Sequence, residues 1–416
     1  MIGRTWTGFV AGRWFRAGAD SGPSLGPAAA GIGVGVAALI VILGVMNGFQ
    51  MGFIDAVLEL DSYHVRLYER EAGQDAAAIA STIPGVAAVI PFRDVRTLAV
   101  NRQGRTEAIR IKIVPDDALI LDPSLANLPF RSGAFGDRGG LSVGSELARR
   151  LNLVVGDRLS VLAVRADEER GVETGMVDLV VTGVFHSGYY DFDISLAFLP
   201  ESGAGILAEG ENRIVGVKLK DRYDDVRALG WLSGAGIPQG AAESWRSYNR
   251  AFFGALRMEK NVMMALVGLI FIVVGVNIFH AMRKAVFIRM EEIAVLKAVG
   301  GGNASVRRIF LLNGLVAGTG GAFLGLCAGL LLTVNVNGVF TGMEAVFGFL
   351  SSLMGDGPGF RFFSPDLFYI GDVPVRIFFT EAAFITLAGA SSALVAAWAA
   401  SARLTSFMPS EVLRNE

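Results

Sequence analysis

PAAAGIGVGVAALIVILGVM, Pro27 to Met46, decides how this chain is read. It carries no charged residue, and a hydrocarbon core of about 30 Å takes roughly 20 helical residues to cross. Working outward, a long polar stretch follows before another such run occurs. Three more then come in succession: Val262 to Ala281, Ile309 to Val334 and Ile377 to Ala402. One span, a large insert and three further spans predict a membrane protein. The expected fold is four transmembrane α-helices with a large α+β domain between helices 1 and 2.

Composition agrees. Hydrophobic residues make up 52% of the 416 residues and charged ones 18%, against about 25% charged in a soluble domain. A net charge of -2 excludes a strongly basic nucleic-acid binder, so no nucleic-acid partner is expected. The single cysteine, Cys327, lies inside the third run, so no intrachain disulfide can form. The first run reads as a retained helix, because the small-residue stretch Ala28-Ala29-Ala30 lies at the wrong end for cleavage after it. Before it, Trp6, Phe9, Val10, Trp14 and Phe15 interleave with arginines, the pattern of a helix lying on a membrane surface.

Charge sets the orientation. Arg4, Arg13 and Arg16 precede span one; Arg283, Lys284, Arg289, Lys297, Arg307 and Arg308 separate spans two and three; Arg403 and Arg414 follow span four. In a four-span chain these regions share a side, and the positive-inside rule makes it cytoplasmic. Arg250, Arg257 and Lys260 are a minority on the other side. The expected division is therefore an inner or interfacial helix at 1–26, span one at 27–52 and an external α+β domain at 53–252. Span two follows at 253–284, an inner loop helix at 285–303, span three at 304–334, an outer loop at 335–375, span four at 376–402 and an inner tail at 403–416.

Inside the insert, Asp75 to Ile83 reads as a short helix stopped by Pro84-Gly85. Val95 to Val100 and Ala108 to Val114 flank a turn at Asn101 to Gly104, and Ile109-Arg110-Ile111-Lys112-Ile113 alternates as a half-buried strand does. Gly144 to Leu151 reads as helix, Arg158 to Val164, Val177 to Phe185 and Arg213 to Leu219 as strands, and Asp224 to Leu232 as helix. The charged stretch Arg165 to Gly175 (RADEERGVETG) is either a solvated hairpin tip or a projecting arm that meets a partner.

Catalytic patterns are missing. No GxxxxGK[ST] occurs, so this chain has no Walker A loop for ATP. His186 has Asp191 and Asp193 nearby but no second His or Cys, and a polar turn is the better reading than a metal site. No GxSxG elbow is present, and Cys327 within a span is poorly placed to form a thiolate. The chain reads as a non-catalytic subunit.

The inner loop offers something else. In Arg289 to Gly300 (RMEEIAVLKAVG), Glu292, Val295, Leu296 and Val299 recur at helical spacing, and Gly300-Gly301-Gly302 forms a stop. Such a helix suits docking in a groove of a soluble partner, or lying on lipid.

VMNGFQ (Val45 to Gln50) and SWRSYNRAFFGALRMEKNVM (Ser244 to Met263) resemble the permease subunits of the lipoprotein-releasing (Lol) ABC transporter. RMEEIAVLKAVGGGNASVRRIFLLNGLVAG (Arg289 to Gly318) is similar to that family's coupling helix and third span, and LFYIGDVPVRI (Leu367 to Ile377) followed by FMPSEVLRNE (Phe407 to Glu416) to the flanks of its last span. The likeness runs over essentially the whole chain and is weakest in the external domain.

The resemblance implies a permease of the inner membrane that pairs with a second permease of the same layout, as hetero- or homodimer, and with two copies of a separate ATPase. That ATPase would use ATP and Mg²⁺; no cofactor is implied on this chain. Glu291, Glu292, Ile293, Val295, Leu296, Val299 and Gly300 would dock it. The cargo would be an acylated lipoprotein taken from membrane lipid and handed to a periplasmic carrier. Met46, Phe49 and Phe53 with Met263 and Met264 could line an acyl slot, since Met and Phe adapt to varied chains; ordinary span packing is the alternative. Arg165, Asp167, Glu168, Glu169 and Arg170 lie about where the family carries a carrier-recruiting hook, though without prolines to stiffen it. The rival readings are a cell-division-like permease that pulls on hydrolases and a macrolide-exporter-like permease. The first predicts a smaller insert, and the second usually carries its ATPase on the same chain.

Overall fold

The structure is a computed structural model that describes residues 6–17, 26–73, 75–167, 171–208, 212–354 and 373–402. The chain divides into two compact units. One holds described residues 6–51, 255–354 and 373–402; the other holds 52–254.

The first unit holds helix α1 (Trp6–Ala17), α2 (Gly26–Ala56) as far as Met51, α3 (Arg250–Ile288) from Ala255 onward, α4 (Met290–Ala298), α5 (Asn303–Val334), α6 (Val336–Met354) and α7 (Phe379–Ala402). Four of these, α2, α3, α5 and α7, are long and apolar enough to cross a membrane. Lipid tails offer helices no hydrophobic drive to associate, so close packing has to come from small residues. The α5 sequence supplies them on two faces. Gly321 and Gly325 meet α2 so closely that a Cβ on either would lie 2.4 Å from the Ala29 or Gly33 carbonyl oxygen. Gly314 and Gly318 meet Ala397 and Ala393 of α7, where an added Cβ would lie 2.4 and 2.5 Å from theirs.

Helix α3 is different. Only 17% of its most apolar stretch is buried, against 39% for α2 and 33% for α5 and α7. Its 39 residues span about 58 Å at 1.5 Å per residue, well beyond what a bilayer core requires.

Two features depart from expectation. The N-terminal helix α1 does expose Trp6 and Phe9, as a surface helix should, but it also buries Ala11 against Val286, Val306, Ile309 and Phe310. Within 335–375, expected as an outer loop, Val336–Met354 forms helix α6. Its apolar residues Val336, Val339, Phe340, Met343 and Phe347 recur at helical spacing.

The second unit is a ten-stranded sheet with helices packed on it. Its strands are β1 (Val65–Tyr68), β2 (Val86–Val100), β3 (Thr106–Val114), β4 (Phe130–Gly133), β5 (Leu141–Gly144), β6 (Arg158–Asp167), β7 (Gly171–Phe185), β8 (Leu196–Pro200), β9 (Ile214–Leu219) and β10 (Ala242–Ser244). They run β10-β1-β9-β2-β3-β8-β5-β7-β4, with β6 pairing β2 and β7. The long strand β2 belongs to both halves: Val86 to Phe92 pair with β9, and Arg93 to Val100 with β3. The β2–β3 turn closes because Asn101 Oδ1 accepts from the Gln103 and Arg105 amides at 2.9 Å. One half buries Ile109, Ile111, Leu141, Val143, Leu159 and Val161, the other Val65, Leu67, Val215, Val217, Ala228 and Leu232. Tyr63, Phe92, Phe185, Phe192 and Phe198 fill a third, aromatic cluster.

Candidate functional site

Helix α4 has two unlike faces. Ile293 and Ala294 are 4% and 3% exposed, and Leu296 is half-buried in the same cluster as Ala11, Val286, Val306, Ile309 and Phe310. Val295 and Val299 are 56% and 84% exposed, and Glu291 and Glu292 are exposed with them. Docking residues expected from sequence therefore separate into an open face (Glu291, Glu292, Val295, Val299) and an underside (Ile293, Leu296) that holds the helix in place. Spacing in so short a helix could not tell Leu296 from Val295, because apolar residues occur on both sides. Arg289 pairs with Glu292 at 3.6 Å. Gly300 ends the helix at φ 101°, a left-handed value that glycine tolerates, and the Gly301 amide reaches back to the Leu296 carbonyl at 2.8 Å.

Four of the five slot residues, Met46, Phe49, Met263 and Met264, lie in the membrane unit and are half-buried. Met46 and Met263 pack against one cluster with Leu39, Leu43, Val267 and Phe271. Phe53 belongs to the external unit, where its ring lies 4.8 Å from Phe252 and stacks on Phe192 at 5.9 Å.

Sequence reading missed a polar knot in the same membrane unit. Asn47 Nδ2 on α2 donates to Glu381 Oε2 on α7 at 2.6 Å, and Lys260 Nζ on α3 donates to Glu381 Oε1 at 2.5 Å. One helical turn along, Gln50 Nε2 donates to Glu259 at 3.2 Å. The segment entering α7 is pinned alongside: the Arg376 amide donates to the Gly44 carbonyl at 2.8 Å. A Cβ at Gly48 would lie 2.0 Å from the Pro374 oxygen, so the chain passes there only over glycine.

In the external unit, the helix of α2 continues through a π-helical turn, Val57–Ser62, whose last carbonyls are capped by buried cations. Lys112 Nζ donates to the Leu60 and Asp61 carbonyls at 2.9 Å each, Arg66 Nε to that of Ser62 at 3.0 Å, and Lys218 Nζ to that of Glu59 at 3.1 Å. Lys218 also binds the Asp122 carboxylate at 2.7 Å. The Lys112 ammonium sits 4.1 and 4.4 Å from the Tyr63 and Phe92 ring centres. Burial lowers its pKa to about 7, although Asp94 and Asp61 pull the other way.

His186 Nδ1 lies 2.9 Å from Asp193 Oδ2 and 3.2 Å from Ser145 Oγ, and the Ser187 amide donates to Asp193 Oδ1 at 2.8 Å. Asp193 is thus committed to a local turn network, while Asp191 is exposed. Strands β6 and β7 form a hairpin paired as far as Asp167 with Gly171. Arg165 and Asp167 stand on β6; Glu168, Glu169 and Arg170 lie outside the described residues.

These elements define a membrane protein with four candidate spans and an α+β domain inserted between the first two. The family model of the MacB-like periplasmic core domain matches residues 28–229, and that of the FtsX-like permease C-terminal matches 264–364. The chain is 26% identical over 401 residues to the lipoprotein-releasing system transmembrane protein LolC of Neisseria meningitidis serogroup B, covering 93% of each. It is 25% identical over 408 residues to the protein named LolE of Haemophilus influenzae, again covering 93% of each. The periplasmic region of MacB from Actinobacillus actinomycetemcomitans matches 47% of this chain and 95% of its own, with 12% identity and a TM-score of 0.29, a likeness too slight to build on. The chain belongs to the LolC/LolE family of ABC-transporter permease subunits.

Proposed function

We propose that this permease extracts acylated lipoproteins from the inner membrane and passes them to a soluble periplasmic carrier. It works beside a second permease of the same layout and two copies of a separate ATPase, which binds ATP and Mg²⁺. Both termini and α4 lie in the cytoplasm and the large domain in the periplasm, the arrangement favoured by Arg283, Lys284, Arg289, Lys297, Arg307 and Arg308 around α4. Reporter fusions after Asp116 should then read as external and one after Gly301 as cytoplasmic; a cytoplasmic signal at Asp116 refutes this orientation.

The observation that carries the reading is the two-faced helix α4. Its underside is locked into α1, α3 and α5, so a push on the open face moves the ends of two spans together. Removing acyl chains from lipid costs about 0.8 kcal/mol per CH₂, which calls for an external energy source and an apolar slot. Met46, Phe49, Met263 and Met264 are the proposed slot walls, and the β6–β7 hairpin is the proposed contact for the carrier. Val299→Glu places a charge on the open face without touching the underside. Purified complexes should lose the ATPase subunit, or its cargo-stimulated turnover, by roughly tenfold. Unchanged co-purification and turnover refute docking at α4.

A further inference from the structure

The Glu381 carboxylate is shared by three helices. Asn47 of α2 and Lys260 of α3 both donate to it, and Glu381 stands in the first turn of α7. Next to it lies a small cavity lined by Ile40, Leu43, Ile377, Phe378 and Ile385, in which Asn47 and Glu381 are the only polar side chains. The cavity is therefore apolar with an acceptor end. Asn47 is 3% exposed, and its Nδ2 donates to Glu381.

The two donors on Glu381 are not equivalent. Asn47 is held on α2, the most buried of the four spans, and the chain entering α7 is pinned beside it. The Lys260 side chain is 47% exposed and rides on α3, the least packed span. A carboxylate whose side chain is only 17% exposed is costly to leave unpaired, so Lys260 can withdraw only if another donor replaces it. An incoming group with an N–H next to an alkyl chain satisfies both ends of the site.

We propose that Glu381 and Asn47 form an acceptor subsite for the N–H of the N-acylated terminus of the cargo, which displaces the Lys260 ammonium as α3 moves aside. The N–H donates to the carboxylate vacated by Lys260, and its acyl chain takes the space that α3 leaves as it moves aside. This rests on the lipoprotein reading above and assigns the chemistry that recognises the cargo's head, as distinct from the chains in the slot. The same donor chemistry exists in the ammonium of phosphatidylethanolamine, and the experiment separates the two.

Full complexes with the ATPase, carrying a photo-crosslinker at Met46, are placed in nanodiscs of phosphatidylcholine, whose headgroup has no N–H. Capture of a triacylated lipoprotein is compared between the unaltered chain, Lys260→Ala, Glu381→Ala and the exchanged pair Lys260→Glu with Glu381→Lys. The exchange keeps the ion pair but puts a donor where the acceptor stood; co-purifying ATPase reports that each variant is folded. Capture should fall roughly tenfold or more in Glu381→Ala and in the exchanged pair, and hold or rise in Lys260→Ala. Normal capture by the exchanged pair overturns the subsite and leaves only a structural clasp. No capture by the unaltered complex overturns the lipoprotein reading, and the subsite with it. A loss that emerges only when phosphatidylethanolamine is added assigns the site to the lipid ammonium and overturns the cargo assignment.

Discussion

Helices α5 and α3 cross the same membrane unit and are built on opposite plans. α5 places glycines against α2 and alanines of α7, and its backbone comes within contact distance of theirs. α3 carries glycines as well, but Gly268 and Gly275 meet nothing within 4 Å, and side chains such as Leu269, Ile272 and Val273 are more than half exposed. Composition alone hides this difference, since both are long apolar helices. The difference separates the spans that pack closely within this chain from the one that packs loosely. α2, α5 and α7 make a framework, and α3 leans on it through Met263, Val267 and Phe271 and through the Lys260 ion pair.

The largest test of that contrast is Gly325→Leu. A side chain there has no room beside the Gly33 oxygen, and overpacking of a tight interface costs about 1–3 kcal/mol or more. The variant should fail to yield a folded complex, or lose several degrees of thermal stability in detergent. Full-yield, unshifted protein would show that α2 and α5 are not held through glycine.

A second test concerns the external unit, where buried cations cap the carbonyls of the π-helical turn. Lys112 has its folded pKa depressed from 10.5 to about 7 by burial. Below about pH 7 both folded and unfolded states hold the proton, and the full penalty of the buried cation is present. Above it the unfolded chain binds more protons, so stability should rise through this group towards pH 10.5, by at most about 1.4 kcal/mol per pH unit. Denaturation of the full chain between pH 7 and 9 should show that rise, and Lys112→Met should remove it. Identical pH slopes in both proteins would mean that Lys112 is not the titrating group.

The smallest effect is expected from Gly268→Ala. Open space surrounds that position, and alanine favours a helix by about 1 kcal/mol, so stability should hold or rise slightly. A clear loss would place an unrecognised partner against α3.

Much of this was legible in the sequence. The four spans follow from uninterrupted apolar runs, and the β2–β3 hairpin from alternation around Asn101. The first half of β2 was hidden because Pro91, Arg93 and Asp94 argue against a strand, yet Val86 to Phe92 pair with β9. Helix α6 was overlooked because it lies in a stretch read only for its position between spans. The Glu381 site could not be read at all: its partners lie 121 and 334 positions away, and no local pattern joins them. Nor could the exposed face of α4 be separated from its underside before Ile293 and Leu296 were seen to pack against Val306 and Phe310.

The order of the external sheet has a consequence for how the chain is made. β1, synthesised first, pairs with β9 and with β10, the last strand of the domain, so Val65 lies opposite both Val217 and Ser244. Strands so distant in sequence must wait for the loop between them to close before either is satisfied. During synthesis, β1 and the leading half of β2 stay unpaired until the final strands have followed them. The domain is completed only as α3 begins, and in that interval its open strand edges are where misassembly or capture by a folding helper should concentrate.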